Sequence, residues 1–272
     1  MNPVRHFLLA LQFFTRIPVT GRLADWVGYS PAMLQASAAY FPAVGAVVGG
    51  LTAGVLYGLG HFLPDPAVAP ASAWVAAVLS TAVGLLITGA FHEDGLADLS
   101  DGLGGSLARD RALEIMKDSR IGTFGASALT IALLGKVALL ATLMQADAAL
   151  ATLALWGGHV VSRAAPLGLI ACMRHVEQPG SRSKPLADRV TPVVLISAAL
   201  QVLCMLLCLQ WLWPDAAWWM ATGFAGVGAA LVAWRVHVRL QGFTGDALGA
   251  SQQMAELGFL LGVVCGWAPA VV

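Results

Sequence analysis

Six times along this chain an apolar run of about 20 residues, the length at which a helix crosses a bilayer, is followed by a polar break. The runs cover residues 39–63, 68–91, 124–144, 148–172, 190–213 and 216–234. A seventh, 257–272, begins just after Glu256; an earlier start near Ala247 would turn its polar residues toward the bundle. In lipid every backbone amide and carbonyl must be satisfied within the segment or within a closed barrel, and runs this long are helices. The expected fold is therefore an all-α polytopic membrane bundle of about seven spans. Only 11% of the residues are charged, against roughly 25% in soluble domains, so the chain lacks the polar surface to face water all round. No internal repeat or linker divides it, and residues 1–272 read as one membrane-embedded domain.

Residues 4–18 differ from the other apolar segments. Phe7, Leu11 and Phe14 share one helical face, Arg5 and Arg16 bracket the stretch, and no small-residue cleavage site follows. That suits a short helix lying in the interface. The four cysteines (Cys172, Cys204, Cys208 and Cys265) form no CxxC pair and read as reduced helix residues. Close glycines, such as Gly45, Gly49 and Gly50 or Gly223, Gly226 and Gly228, read as tight helix packing.

Orientation follows from the basic residues. Those outside the spans fall in the N-terminus (Arg5, Arg16, Arg22), residues 92–123 (Arg109, Arg111, Lys117, Arg120), residues 173–189 (Arg174, Arg182, Lys184, Arg189), and the stretch with Arg235 and Arg239. The intervening loops hold Asp65, Asp147 and Asp215 and no basic residue. The positive-inside rule puts the N-terminus and the long loops in the cytoplasm. Net charge is zero, which offers nucleic acid no long-range field, and the number of subunits is left open, a homo-oligomer included.

The most informative stretch is His92-Glu93-Asp94-Gly95-Leu96-Ala97-Asp98-Leu99-Ser100-Asp101-Gly102. If it continues the second span as a helix, Asp94, Asp98 and Asp101 are spaced i, i+4, i+7 and share one face. Unpaired carboxylates repel, so this face wants a cation, and oxygen donors suit Mg²⁺ or Mn²⁺ better than zinc. A pair of such ions bridging substrate phosphates is the common use of the pattern. Read minimally, it is a solvated acidic turn, but idle carboxylates beside a membrane are costly. Glu93 points away from Asp94 and is either a group supporting the carboxylates from behind or, the favoured reading, a soluble loop residue. His92 is either a proton carrier or group that orients a carboxylate, or an interfacial residue.

Cations follow in the same loop: Arg109, Arg111, Lys117 and Arg120, with Asp118 among them. Guanidinium forks match phosphate oxygens and a lysine adds a point charge, so acids beside bases make the arrangement phosphoryl transfer requires. The plain alternative is that these bases only set orientation. Asp246 and Glu256 flank the start of the last span. Arg163 lies inside the fourth, where it costs roughly 2.5–3.5 kcal/mol on insertion scales. A partner is expected for it, either a bundle carboxylate or a substrate phosphate. Lys136, in the third span, either snorkels or pairs.

These blocks resemble the signatures of the cobalamin synthases, the adenosylcobinamide-GDP ribazoletransferases. Residues 92–102 resemble an H-x-D-G-L-A-D-x-x-D-G pattern, residues 111–122 a second block, and Thr244-Gly245-Asp246 through Glu256 a third. Residues 14–18 and 41–45 are also similar, so the resemblance covers nearly the whole chain. It implies a multi-pass enzyme of the bacterial inner membrane, needing Mg²⁺, with its active site facing the cytoplasm. Such an enzyme joins adenosylcobinamide-GDP to α-ribazole or its 5′-phosphate and releases GMP. On that reading Asp94, Asp98 and Asp101 hold Mg²⁺, and either Asp101 or Asp118 accepts the hydroxyl proton. Arg111, Lys117 and Arg120 hold the phosphates, and His92, Arg163, Asp246 and Glu256 complete the substrate site. The rivals are a lipid alcohol phosphotransferase, whose D-G-x-x-A-R pattern fails here at Asp98, and a transporter using Lys136 and Arg163 as a mid-membrane path.

Overall fold

The computed structural model describes residues 2–176 and 190–267, and every regular element in them is helical. Arg182, Lys184, Arg189 and the end of the last apolar run lie outside the described residues. The helices are α1 (Pro3–Phe14), α2 (Arg22–Val27), α3 (Pro31–Ser37), α4 (Phe41–Phe62), α5 (Ala71–Thr88), α6 (Phe91–Gly105) and α7 (Arg109–Ile115). They continue with α8 (Thr123–Ala146), α9 (Ala148–Ser162), α10 (Ala165–Cys172), α11 (Pro192–Leu212), α12 (Trp218–Leu240) and α13 (Gly245–Gly266). Among the described residues six helical segments are long and apolar enough to cross a membrane: Pro31–Phe62, α5, α8, α11, α12 and α13.

The fourth expected span is two helices. Ser162 ends α9, Arg163 and Ala164 form a turn, and α10 resumes at Ala165. Pro166 has no amide hydrogen to bond the carbonyl one turn back, at Ser162, which opens the helix there. The last span starts at Gly245, the earlier of the two expected starts, because the Thr244 hydroxyl accepts from the Ala247 amide and caps it (3.2 Å). The acidic stretch does not continue the second span. Gly89 and Ala90 both take positive φ (66° and 55°), closing α5 and sending α6 off in a new direction.

Helix α1 ends at Phe14, short of the expected residue 18, because Thr15 is extended and the Arg16 amide donates to the Ile87 carbonyl (2.6 Å). Leu9, Ala10, Leu11 and Phe14 are buried in a cluster with Leu34, Phe41 and Val44, so its apolar face leans on the protein. Small-residue packing is present where Gly45 and Gly49 of α4 meet α9; a Cβ on Gly49 would stand 3.1 Å from the Trp156 carbonyl. On α12, Gly228 alone of the expected trio touches a neighbour, the Met254 backbone of α13.

A polar chain runs through this apolar interior. Lys136 of α8 and Glu256 of α13 are 6% and 2% exposed and pair at 2.5 Å. Gln252 donates to Glu256 (2.7 Å) and to Ser162 (2.9 Å), and Gln253 donates to Gln252 (2.8 Å) and to Glu93 of α6 (3.0 Å). Arg163 donates to His159 at both the ring Nδ1 (3.0 Å) and the backbone carbonyl (2.9 Å). Side chains of four helices, α6, α8, α9 and α13, are thereby tied to one another. Lys136→Met should leave Glu256 as an uncompensated buried charge and cost about 3–5 kcal/mol. The double variant Lys136→Met with Glu256→Gln should recover most of that loss, read as unfolding temperature in detergent.

Candidate active site

Helix α6 is held against α13 by two glycines. A Cβ on Gly95 would stand 2.9 Å from the Asp246 carbonyl, and one on Gly249 would stand 3.0 Å from the His92 carbonyl. Backbone-to-backbone contact at this crossing leaves no room for side chains, so the flanking residues project to its sides. Asp94 is exposed and Asp98 half-buried on α6, and Asp246 lies within electrostatic reach of both from the first turn of α13. None of the three is in a salt bridge among the described residues. Burial first, then the charges of Asp94 and Asp101, push the Asp98 carboxyl up to about 6. Asp94, Asp98 and Asp246 are thus crowded oxygen donors without a neutralising cation.

Asp101 shares their face but is already engaged. Its two oxygens accept from the Gly122 and Gly125 amides at 2.7 Å each, capping the N-terminus of α8. Among the described residues no three His, Cys, Asp or Glu side chains come together as a ready-made metal group, neither Asp94, Asp98 and Asp101 nor Asp94, Asp98 and Asp246. Asp246, expected to bind substrate, brings a further carboxylate within electrostatic reach of Asp94 and Asp98. The donor chemistry fits magnesium, which is held by one or two carboxylates plus waters and substrate phosphates rather than by an all-protein cage.

Past the C-terminal end of α6 the chain wraps an open hollow of about 540 Å³, bordered by Asp101, Gly105, Arg111, Asp118 and Arg120. Arg111 pairs with Glu114 (2.8 Å) and Arg120 with Asp118 (2.7 Å), all on the surface, and Lys117 is exposed nearby. Surface pairs of this kind are weak and exchange readily for a phosphate. While the pair holds, the Arg120 guanidinium and backbone amide keep the Asp118 carboxyl down at about 2. Arg109, expected among the phosphate-matching cations, and Arg239, expected only to set orientation, hold helix ends in place. Arg109 donates to the Leu240 carbonyl (2.8 Å), and Arg239 donates to the carbonyls of Leu103 (3.1 Å) and Ser106. They tie α7 and the end of α6 to α12.

At the opposite end of α6, His92 is buried and stacks on Phe14 (centroids 5.6 Å apart, 10° between planes). Burial first, then the Arg163 charge, hold its pKa well below the usual histidine value. Arg163 bonds to His159, and among the described residues the expected bundle carboxylate does not lie within ion-pair distance of it. Glu256 sits in the bundle interior, bonded to Lys136 and Gln252, and braces the site from inside. Glu93, read from sequence as a loop residue, is buried and bonded to Gln253. Its signal was available in Gln252, Gln253 and Glu256, polar residues one turn apart on an apolar helix, which demand polar partners.

A model of the family described as cobalamin-5-phosphate synthase matches residues 6–264. The chain is 51% identical to the adenosylcobinamide-GDP ribazoletransferase of Albidiferax ferrireducens, over 97% of this chain and 98% of that one. It is 52% identical to the protein of the same name from a Polaromonas species (97% and 99% covered) and 39% identical to that of Vibrio cholerae (92% and 90%). No solved structure matches it.

The two kinds of aspartate should separate experimentally. Asp101→Ala strips two charge-assisted bonds from the start of α8 and should cost about 2–3 kcal/mol of stability, read as a lower unfolding temperature. Asp94→Asn, exposed and without a partner to lose, should leave the unfolding temperature within about 0.5 kcal/mol of the wild type.

Proposed function

The chain belongs to the cobalamin-5-phosphate synthase family, and from that premise we propose that it joins adenosylcobinamide-GDP to α-ribazole or α-ribazole 5′-phosphate, releasing GMP with the help of Mg²⁺. The observation that carries the reading is the gathering of Asp94, Asp98 and Asp246 at a glycine crossing, with a hollow bordered by Arg111 and Arg120 at the C-terminal end of α6. Family membership sets aside the lipid phosphotransferase. The buried pairing of Lys136 with Glu256 speaks against a mid-membrane transport path, since those charges are used up inside the bundle.

In the proposed reaction the acceptor's 3′-hydroxyl oxygen bonds to the phosphorus that carries cobinamide. The bond from that phosphorus to GMP breaks, the hydroxyl proton passes to a base, and GMP leaves. Bound magnesium would neutralise the diphosphate and the departing GMP oxygens. Asp94 and Asp98, with Asp246 opposite, would hold it. Arg111, Lys117 and Arg120 would bind donor phosphates in the hollow, giving up their surface partners Glu114 and Asp118. Asp101 acts by fixing α8 and the glycine-flanked loop before it. The basic residues beside this site support placing it on the cytoplasmic face of the inner membrane, with the N-terminus on the same side.

Purified protein mixed with adenosylcobinamide-GDP and α-ribazole should release GMP with Mg²⁺ and none after chelation. Asp94→Asn should lower kcat by about 100-fold or more. Near-normal turnover by that variant would sink the assignment of the acidic crossing. Arg120→Ala should raise the donor KM about ten-fold, since it removes one charge-assisted phosphate contact.

A further inference from the structure

The N-terminal end of α6 borders a cavity that the acidic crossing and the basic hollow do not account for. Phe13, Phe14, Phe41 and Phe91 wall it, and Arg163 and His92 supply its polar points. The phenyl rings already meet edge to face: Phe13 and Phe91 at 5.6 Å and 72°, Phe14 and Phe41 at 4.6 Å and 85°. That leaves ring faces and edges for a further flat ring. Arg163 is 3% exposed and its Nε is buried without a hydrogen-bond partner. A buried unpaired donor is costly, and a ligand acceptor would satisfy it. The cavity measures about 50 Å³, room for about four waters at the roughly 12 Å³ each requires. One small ring system fits; a macrocycle or a nucleoside diphosphate does not.

Position carries the argument further. Helix α6 has 15 residues and so runs about 22 Å. Phe91 and His92 border the aromatic cavity, Asp94 and Asp98 lie midway, and Asp101 and Gly105 border the basic hollow. The cavity also touches Gly245 and Gly249, on either side of Asp246, so it opens beside the acidic crossing. We propose that the two substrates lie along α6 in one direction, the flat base of the nucleoside acceptor in the aromatic cavity and the donor's phosphates in the basic hollow. The assignment rests on the transferase reading above. The donor's guanine is the competing flat ring, but its edges carry several donors and acceptors. Phenyl walls with one free N–H suit a base with a single ring-nitrogen acceptor. The acceptor's ribose would then hang toward Asp94, Asp98 and Asp246, where its hydroxyl has to react.

Two variants and one probe test this. Leu248→Trp fills the cavity from α13 and Phe13→Ala removes a wall from α1. Each should raise the acceptor KM about ten-fold or more while the donor KM stays within about two-fold. Unfolding temperatures identify a variant that has lost its fold, and the other variant then decides. Separately, wild-type protein without substrates should bind benzimidazole saturably by calorimetry, and Leu248→Trp should not. Benzimidazole should also compete with the acceptor and not with the donor. A rise in donor KM would place guanine there, movement of neither KM would indicate a lipid chain, and absent or unsaturable benzimidazole binding would leave the cavity without a base; each overturns the placement. Failure of the wild type to release GMP would count against the reaction, and benzimidazole binding would still decide the cavity.

Discussion

A lysine and a glutamate inside a lipid-surrounded bundle have no water to retreat to, and the ion pair between Lys136 and Glu256 is the contact from which the rest of the architecture follows. Satisfying Glu256 positions Gln252, whose amide bridges to Ser162 at the break between α9 and α10. Gln252 in turn receives Gln253, and Gln253 reaches Glu93 at the start of α6. Each link is one side chain long, so the register of α6 against α13 is set by groups that would otherwise be buried and unpaired. Apolar contacts alone would tolerate sliding by a turn. This chain does not.

That register is what brings Gly95 opposite Gly249. With no side chain at the crossing, the carboxylates beside it come from two helices, Asp94 and Asp98 from one and Asp246 from the other. Their repulsion is kept in place by contacts elsewhere: the polar chain inside, Asp101 on the α8 amides, and Arg239 on the last carbonyls of α6. The strained feature is therefore an acidic cluster whose natural relief is a cation. The bases that could have neutralised it are instead paired off, out along the loop with Glu114 and Asp118. Separation of the two signs along α6 leaves each free for a ligand.

Much of this was legible in the residues. Apolar runs of membrane length, the alternation of basic and acidic loops, and the spacing of Asp94, Asp98 and Asp101 all follow from one-dimensional periodicity. The long motifs from residue 92 to residue 256 carried the family resemblance. What failed were statements about partners. Asp101 looked like its neighbours because i, i+4, i+7 spacing cannot say what packs against the far end of a face. Glu93 looked idle because its partner, Gln253, lies 160 residues away. Asp118 looked available because sequence shows a nearby Arg120 without showing that the two have closed on each other.

By itself, then, the sequence determined that this chain lives in a bilayer as helices, and which acids and bases it carries to one side, because hydropathy and charge sum along the chain. The tertiary structure decided which of those acids remain unneutralised. Asp101 caps α8, Asp246 comes within electrostatic reach of Asp94 and Asp98, and Glu256 pairs with Lys136 in the core. A carboxylate's role depends on which donors lie within about 3 Å of its oxygens, and in a bundle those donors come from helices far apart in the chain.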